Sequence, residues 1–313
     1  MPDEYMDRLL IVDGHAYAYR AFHAIRDLHS PTGQPTNAIY GFVKMLSKMR
    51  AAIRPTHSMV VWDGGLSAER VAALPEYKAQ RPDMPDDLKP QLDEMVNYLK
   101  AAGIVSFCRE GVEADDYIAC LERRGEDAGM AVVIASSDKD FMQLVSKRIG
   151  LLNPADKTEL IWTDEQVRAK TGVEPSQIVD WLSLIGDSVD NIPGVPGVGP
   201  KTAADLLNRF ESVGSLYQRL DEVKSEKLRA NLRAAEDAVW RNCKLVRLHD
   251  DLPCEFSPEE LAEKPADTVR LGELYRLWGF RTLLAALEKS PPLPGDGGAA
   301  LAAQTRECQA VLI

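Results

Sequence analysis

The sequence predicts an α/β protein, with a parallel sheet and helical crossovers in its first half and a mainly helical second half. Three observations carry this. Short continuous apolar runs, RLLIVD over Arg8–Asp13, SMVVWD over 58–63 and AVVIA over Ala131–Ala135, suit strands buried on both faces. Helix-like stretches alternate with them, which is the pattern of right-handed βαβ units. Beyond Trp162 the chain reads as helical.

In order, Arg8–Asp13 is followed by a helix over residues 16–25, broken by Ser-Pro-Thr-Gly. Residues 38–53 repeat apolar side chains at three-to-four spacing (Ile39, Phe42, Val43, Leu46, Met49, Ile53), which predicts a core helix. The strand over 58–63 leads into residues 64–92, rich in proline and lacking a core face, a segment with the marks of a functional loop. Helices over 92–102 and 115–128 precede the strand Ala131–Ala135. LLN and ELIW suggest a hairpin edge within 151–162. A capping box at Thr163–Gln166 and a stop at Gly172 bound the next helix. Helices over 176–185, 201–210 and 225–248 follow. A domain boundary is expected near residue 175, giving 1–175 and 176–289. The Pro/Gly/Ala-rich end, 290–313, reads as a disordered tail.

Hydrophobic content of 45% and charged content of 27% describe a globular protein with a sizeable core. No apolar run approaches the roughly 18 residues of a membrane span, and the acidic N-terminus is not a signal peptide. Five scattered cysteines without a CxxC fit reduced thiols in a cytoplasmic protein and no zinc site. The net charge of −11 argues on its face against a nucleic-acid partner. It loses that force if many of the acids are metal ligands.

The acids are in fact arranged. Asp13, Asp63, Asp138 and Asp140 stand at or just past strand ends, where ligands gather in parallel sheets. A helix leading into a strand carries Glu113, Asp115 and Asp116 back towards Asp138 and Asp140. Asp187 and Asp190, at i and i+3, can share one helical face. Single acids in such places are ordinary caps and turns. So many converging carboxylates would repel strongly unless protonated or neutralised, and a divalent cation with hard oxygen ligands is the usual remedy. No Ser/His/Asp or Cys/His constellation competes, and the five histidines are expected to be structural or on the surface. A DxD nucleotide-sugar transferase would account for Asp138-Lys-Asp140 but not for Asp187 and Asp190.

The stretch from Gly194 to Thr202, GVPGVGPKT, nearly spells a P-loop, but Pro200 separates Gly199 from Lys201 and no buried strand precedes it. A helical hairpin fits better. Gly197 and Gly199 allow tight turns, Pro200 suits the first helical position, and the free N–H groups there, with Lys201, can bind a phosphate. Such a contact grips a duplex without reading its sequence.

Taken together, LLIVDGHAYAYRAFHA, PTNAIYGF, VVWDG, EYKAQRPDMPDDL, GVEADDYIA, SSDKDFMQLV and LIGDSVDNIPGVPGVGPKTA resemble the 5′-nuclease family of 5′–3′ exonucleases and flap endonucleases, of the kind at the N-terminus of bacterial DNA polymerase I. The resemblance implies a PIN-like α/β nuclease domain with a helical arch and a helix-3-turn-helix domain for duplex DNA. It implies two Mg²⁺ or Mn²⁺ ions on Asp13, Asp63, Glu113, Asp115, Asp116, Asp138, Asp140, Asp187 and Asp190, and a K⁺ at the hairpin. Lys78 and Arg81 match catalytic bases of the arch. Arg20, Arg70, Gly194, Gly197, Gly199, Lys201 and Thr202 match DNA contacts. The expected substrate is a 5′ flap or a nicked or gapped duplex, including RNA primers on DNA, with no membrane and no obligate protein partner. The GGLSAERVAALP stretch lacks the arch's usual lysine and aromatics, and Ser137 replaces a common glycine. No polymerase region follows, so a free-standing nuclease or an excised domain is expected. A junction-binding protein without catalysis would not need the acids.

Overall fold

The strand Arg8–Asp13 (β1) is the axis of the molecule, a computed structural model that describes residues 7–289 except 155, 157 and 159. The expected tail, 290–313, lies outside the described residues. From β1 the chain runs through α1 (Gly14–Ala24) and α2 (Asn37–Ile53) to β2 (His57–Trp62). It continues through α3 (Ala68–Ala73) and α4 (Lys89–Ala101) to β3 (Val105–Cys108). Then α5 (Ala114–Asp127) carries it to β4 (Ala131–Ala135) on the far side of β1, followed by β5 (Ile149–Leu152) and the antiparallel β6 (Ile161–Trp162). The sheet order is β3-β2-β1-β4-β5-β6, with every pairing parallel except the last. Strand order therefore reverses between β1 and β4. A crevice forms at such a switch point, outside the carboxyl ends of the strands.

The alternation of side chains along β1 divides the core. Leu10 and Val12 pack with α1, α2 and α4, whereas Leu9 and Ile11 pack with α5 and the helical half of the chain. All four are essentially without solvent exposure, which is why the strand reads as one apolar run. α2 opens at Asn37, whose amide bonds the carbonyls of Phe22 and Ile25 and so stitches α1 to α2.

The helical part begins with α6 (Asp164–Thr171), which carries the expected capping box and αL Gly172 stop, and α7 (Ile178–Ile185). Two residue pairs, β7 (Gly186–Asp187) and β8 (Ile192–Pro193), form a tight antiparallel hairpin. α8 (Pro200–Phe210), α9 (Val213–Gln218), α10 (Glu226–Ala234) and α11 (Glu236–Val246) complete the bundle, with α11 packed on α7. The single helix expected over 225–248 is broken at Ala235, where no glycine, proline or capping side chain marks the break.

Three further expectations need correction. Asp187 and Asp190 share no helical face, because Gly186 at φ +76° ends α7 and turns the chain into the β7–β8 hairpin. Lys78 and Arg81 are not on a helical turn: among the described residues the expected arch is α3 followed by turns, and Lys78 itself is left-handed at φ +55°. The last helices, α12 (Thr268–Trp278) and α13 (Arg281–Lys289), do not extend the helical half. They return to the α/β half, where Leu271, Leu274, Tyr275, Trp278 and Phe280 join the core cluster of α2 and α4. Trp278 Nε1 donates to Glu94, and Arg50 and Ser58 hold Glu263.

Candidate metal centre

The turn after β1 explains Asp13. It caps α1, accepting from Ala16 N at 3.0 Å, while its other oxygen accepts from Ser136 Oγ at 2.8 Å just past β4. Ser136 thus ties together the two strands at the switch point, and it also accepts from Asp138 N. Asp138 in turn caps a 3-10 turn, Lys139–Leu144, accepting from Asp140 N at 2.9 Å. Neither β1 nor β4 can shift without moving these acids.

Burial raises the carboxyl of Asp13 to about 6, with Asp138 and Asp63 adding to the effect. Asp115 and Asp140 are pushed well above the carboxylate range by burial and by the neighbouring charge of Asp138, and Asp138 is raised as well. These mutual effects mark the acids as one electrostatic unit.

At one end of it, Asp140, Asp187 and Asp190, all buried, offer oxygens within 4.8 Å of one another. Asp187 Oδ1 accepts from Val189 N and meets Lys139 Nζ at 3.0 Å, and Asp190 Oδ1 takes Arg81 at 2.7 Å. Asp140 Oδ1 is buried with no hydrogen-bond partner. Three buried carboxylates this close together, one of them with an unpartnered oxygen, make an all-oxygen donor set, the kind that holds a hard divalent cation.

Glu113 and Asp116 are placed differently. Glu113 stands at the N-cap position of α5 without bonding that helix, and its side chain instead accepts from Ser67 N, Tyr77 Oη and Lys78 Nζ, with Arg70 at 3.2 Å. Burial alone would raise its pKa, but Lys78 and Arg70 outweigh burial and hold it low. Asp116 forms a two-pronged pair with Arg70, at 2.6 and 2.7 Å, and accepts from His249 N. Its oxygens are engaged inside the protein rather than turned to the other acids.

Two cations consequently differ from expectation. Arg70 is buried, with its remaining donors on the carbonyls of Leu245 and Arg247, so it braces α3 against the end of α11 and does not face solvent. Lys78 is also buried, facing Glu113 and Asp115, with its backbone N–H on Asp190 O. Arg20 is exposed on α1, and Arg81 is partly exposed beside Asp190.

His15 was expected to be structural or on the surface, and the structure sets it against Asp63. Asp63 N donates to His15 Nδ1 at 3.0 Å, so this nitrogen carries no proton. Burial lowers the imidazole's pKa, and Asp63 opposes that. Its position directly after the Asp13-Gly14 turn is the only hint in the sequence. Ser136, Tyr77 and Lys139 likewise escaped notice, although each lies beside a residue that was singled out.

The glycine stretch is a loop between β8 and α8, pinned by buried Val195 and Val198 and by Asn231, which donates to Pro196 O. Gly197 is left-handed at φ +80°, and Gly199 caps α8 with Pro200 at its first position. Nothing would meet a Cβ on Gly199, and Lys201 is exposed, so this helix start is open. Gly194 serves packing instead: a Cβ there would lie 2.1 Å from Ile185 O.

A parallel sheet with clustered acids at its switch point, joined to a helical hairpin unit, defines the nuclease domain class with a helix-3-turn-helix partner. The chain belongs to the 5′–3′ exonuclease family: its N-terminal resolvase-like domain model matches residues 8–172, and its C-terminal SAM-fold model matches residues 173–269. It is 39% identical over 284 residues to a 5′-3′ exonuclease of Aquifex aeolicus, covering 91% of this chain and 96% of that protein. It is 38% identical to DNA polymerase I of Bacillus caldotenax over 90% of this chain, but that match spans 32% of the polymerase. Among solved structures, the T5 5′-exonuclease with bound zinc aligns at TM-score 0.66 and 24% identity, covering 87% of this chain and 99% of that one. The catalytic core of Rad2 in complex with DNA substrate aligns at 0.61 and 18%, covering 90% and 93%. Among the described residues no helix is long and apolar enough to cross a membrane.

Proposed function

We propose that this nuclease hydrolyses phosphodiester bonds near the 5′ ends of DNA, at flaps, nicks or gaps and on RNA primers paired to DNA, using two Mg²⁺ or Mn²⁺ ions. The observation that carries the reading is the buried cluster of Asp140, Asp187 and Asp190, in which Asp140 Oδ1 has no hydrogen-bond partner. Those three would hold one ion, and Asp13, Asp63, Asp115 and Asp138 the other. When bound, such ions supply an activated water and stabilise the leaving oxygen. Ser136 and His15 keep Asp13 and Asp63 aligned, while Glu113 and Asp116 act through Lys78 and Arg70. The open start of α8, with Gly197, Gly199, Lys201, Thr202 and a K⁺ ion, would grip duplex phosphates, and Arg20 and Arg81 would add cationic contacts. We place the protein in the cytoplasm, in primer removal or repair.

Cleavage of a 5′-labelled flap duplex should require Mg²⁺ or Mn²⁺ and stop with EDTA. Full activity after exhaustive chelation would refute the reading. Lys201→Ala should weaken binding to all duplex sequences alike and reduce the slope of log affinity against log salt by roughly one phosphate's worth. An unchanged slope in a binding titration would return Lys201 to the solvent.

The raised acids also set a pH dependence. A carboxyl whose folded pKa lies above its unfolded value binds more protons when folded, so stability falls as pH rises between the two values. For Asp13 that window is about 4 to about 6. Glu113, held low, acts oppositely, and its contribution is lost only as pH falls below its usual 4.5. Without a divalent cation the melting temperature should therefore drop across pH 4–6, and the gain on adding Mg²⁺ should be larger at pH 7.5 than at pH 5. Thermal melts at both pH values with and without the ion test this; an equal gain at both would contradict it.

A further inference from the structure

We propose that Lys139 is the tethered counter-ion of the Asp140–Asp187–Asp190 cluster, holding Asp187 until a divalent cation displaces it and so setting how much metal that cluster needs. The inference rests on the metal-dependent reading above and assigns a role to a residue outside its ligand set.

Lys139 Nζ lies 3.0 Å from Asp187 Oδ1, the oxygen that also accepts from Val189 N. Arg81 holds Asp190, and nothing holds Asp140 Oδ1. Among the described residues the three carboxylates thus make direct ion pairs with two side-chain cations, and one buried oxygen is left unsatisfied. A divalent ion bound among the three carboxylates would offset their charge, Asp140 included, but would meet the Lys139 ammonium already on Asp187. Like charges that close repel, so one must leave.

The lysine is built to leave. Its side chain is 35% exposed and starts at the first residue of the 3-10 turn, directly between Asp138 and Asp140. An ammonium on a flexible stem can swing into water without moving the backbone, and it is readily hydrated there. Asp187 is 6% exposed and fixed in the β7–β8 hairpin, so the acid stays where it is. Lys139 therefore keeps the hairpin acids and the β4 acids together before metal enters, at the cost of competing with the metal for Asp187.

The test is Mn²⁺ titration of the DNA-free protein, following free Mn²⁺ by electron paramagnetic resonance. Lys139→Gln should tighten one of the two Mn²⁺ classes by roughly three- to tenfold, the scale of a partly exposed ion pair, and leave the other unchanged. Lys139→Arg, which keeps the charge, should stay near the unsubstituted protein. In EDTA the Gln variant should melt below the unsubstituted protein, and in saturating Mn²⁺ the two should coincide. A Gln variant that binds Mn²⁺ no more tightly, or an Arg variant that tightens as Gln does, overturns the counter-ion role. If the unsubstituted protein binds no Mn²⁺, the metal-dependent reading itself falls, and this inference with it.

Discussion

Arg70→Met is expected to lower the folding free energy by about 3–5 kcal/mol, because it strands the buried Asp116 carboxylate without its partner. Asp116 would retain His249 N, but its two-pronged pair would be gone, and the carbonyls of Leu245 and Arg247 would each lose a donor. In a chain of 313 residues that is a fall of roughly 5–8 °C in melting temperature. Adding Asp116→Asn should restore a large part of the loss, since the amide oxygen still accepts from His249 N and position 116 no longer carries a buried charge. Denaturant melts of the two single variants and the double variant measure the coupling directly. Additive losses would mean that Arg70 stabilises through packing alone. The expectation depends on Arg70 being interior. An Arg70 that served on the surface would give a binding defect with a near-normal melt.

Asp140→Asn should reduce cleavage by about 10³-fold or more, corresponding to roughly 4 kcal/mol of transition-state stabilisation. The same change should raise the melting temperature of the protein in EDTA at pH 8. The acid is buried, lies beside Asp138, Asp190, Asp115 and Asp187, and has an oxygen without a partner, so its charge opposes folding unless a cation offsets it. Stability and activity should therefore move in opposite directions at this position. Single-turnover cleavage on a labelled flap duplex and a parallel thermal melt give both quantities. A variant that loses activity and also melts lower in EDTA would show that Asp140 contributes to the fold rather than straining it. Duplex affinity should be unchanged or tighter, since a negative charge near the phosphates is removed.

Local physics wrote much of this protein into its sequence. β1, β2 and β4 were legible because strands buried on both faces are continuous apolar runs, and an Asp ends or shortly follows each one. Thr163 and Gly172 announced α6, because a capping box and an αL glycine are requirements of single helix ends. The convergence of acids followed from strand direction alone, since all parallel strands deliver their ends to one edge. By contrast, β3 went unread: VSFC is short, half exposed and carries no acid. Which carboxylates share a cluster was also beyond reach. Asp140 meets Asp187 and Asp190 only because Gly186 folds a hairpin back onto the 3-10 turn, a contact between distant parts of the chain. Arg70 and Lys78 look in sequence like surface bases beside prolines, and only the packing of α3 against α5 and α11 turns them inward. Charge and spacing state what a residue can do. Whether it faces substrate, metal or another side chain is set by long-range burial, where the cost of an unpaired charge chooses its partner.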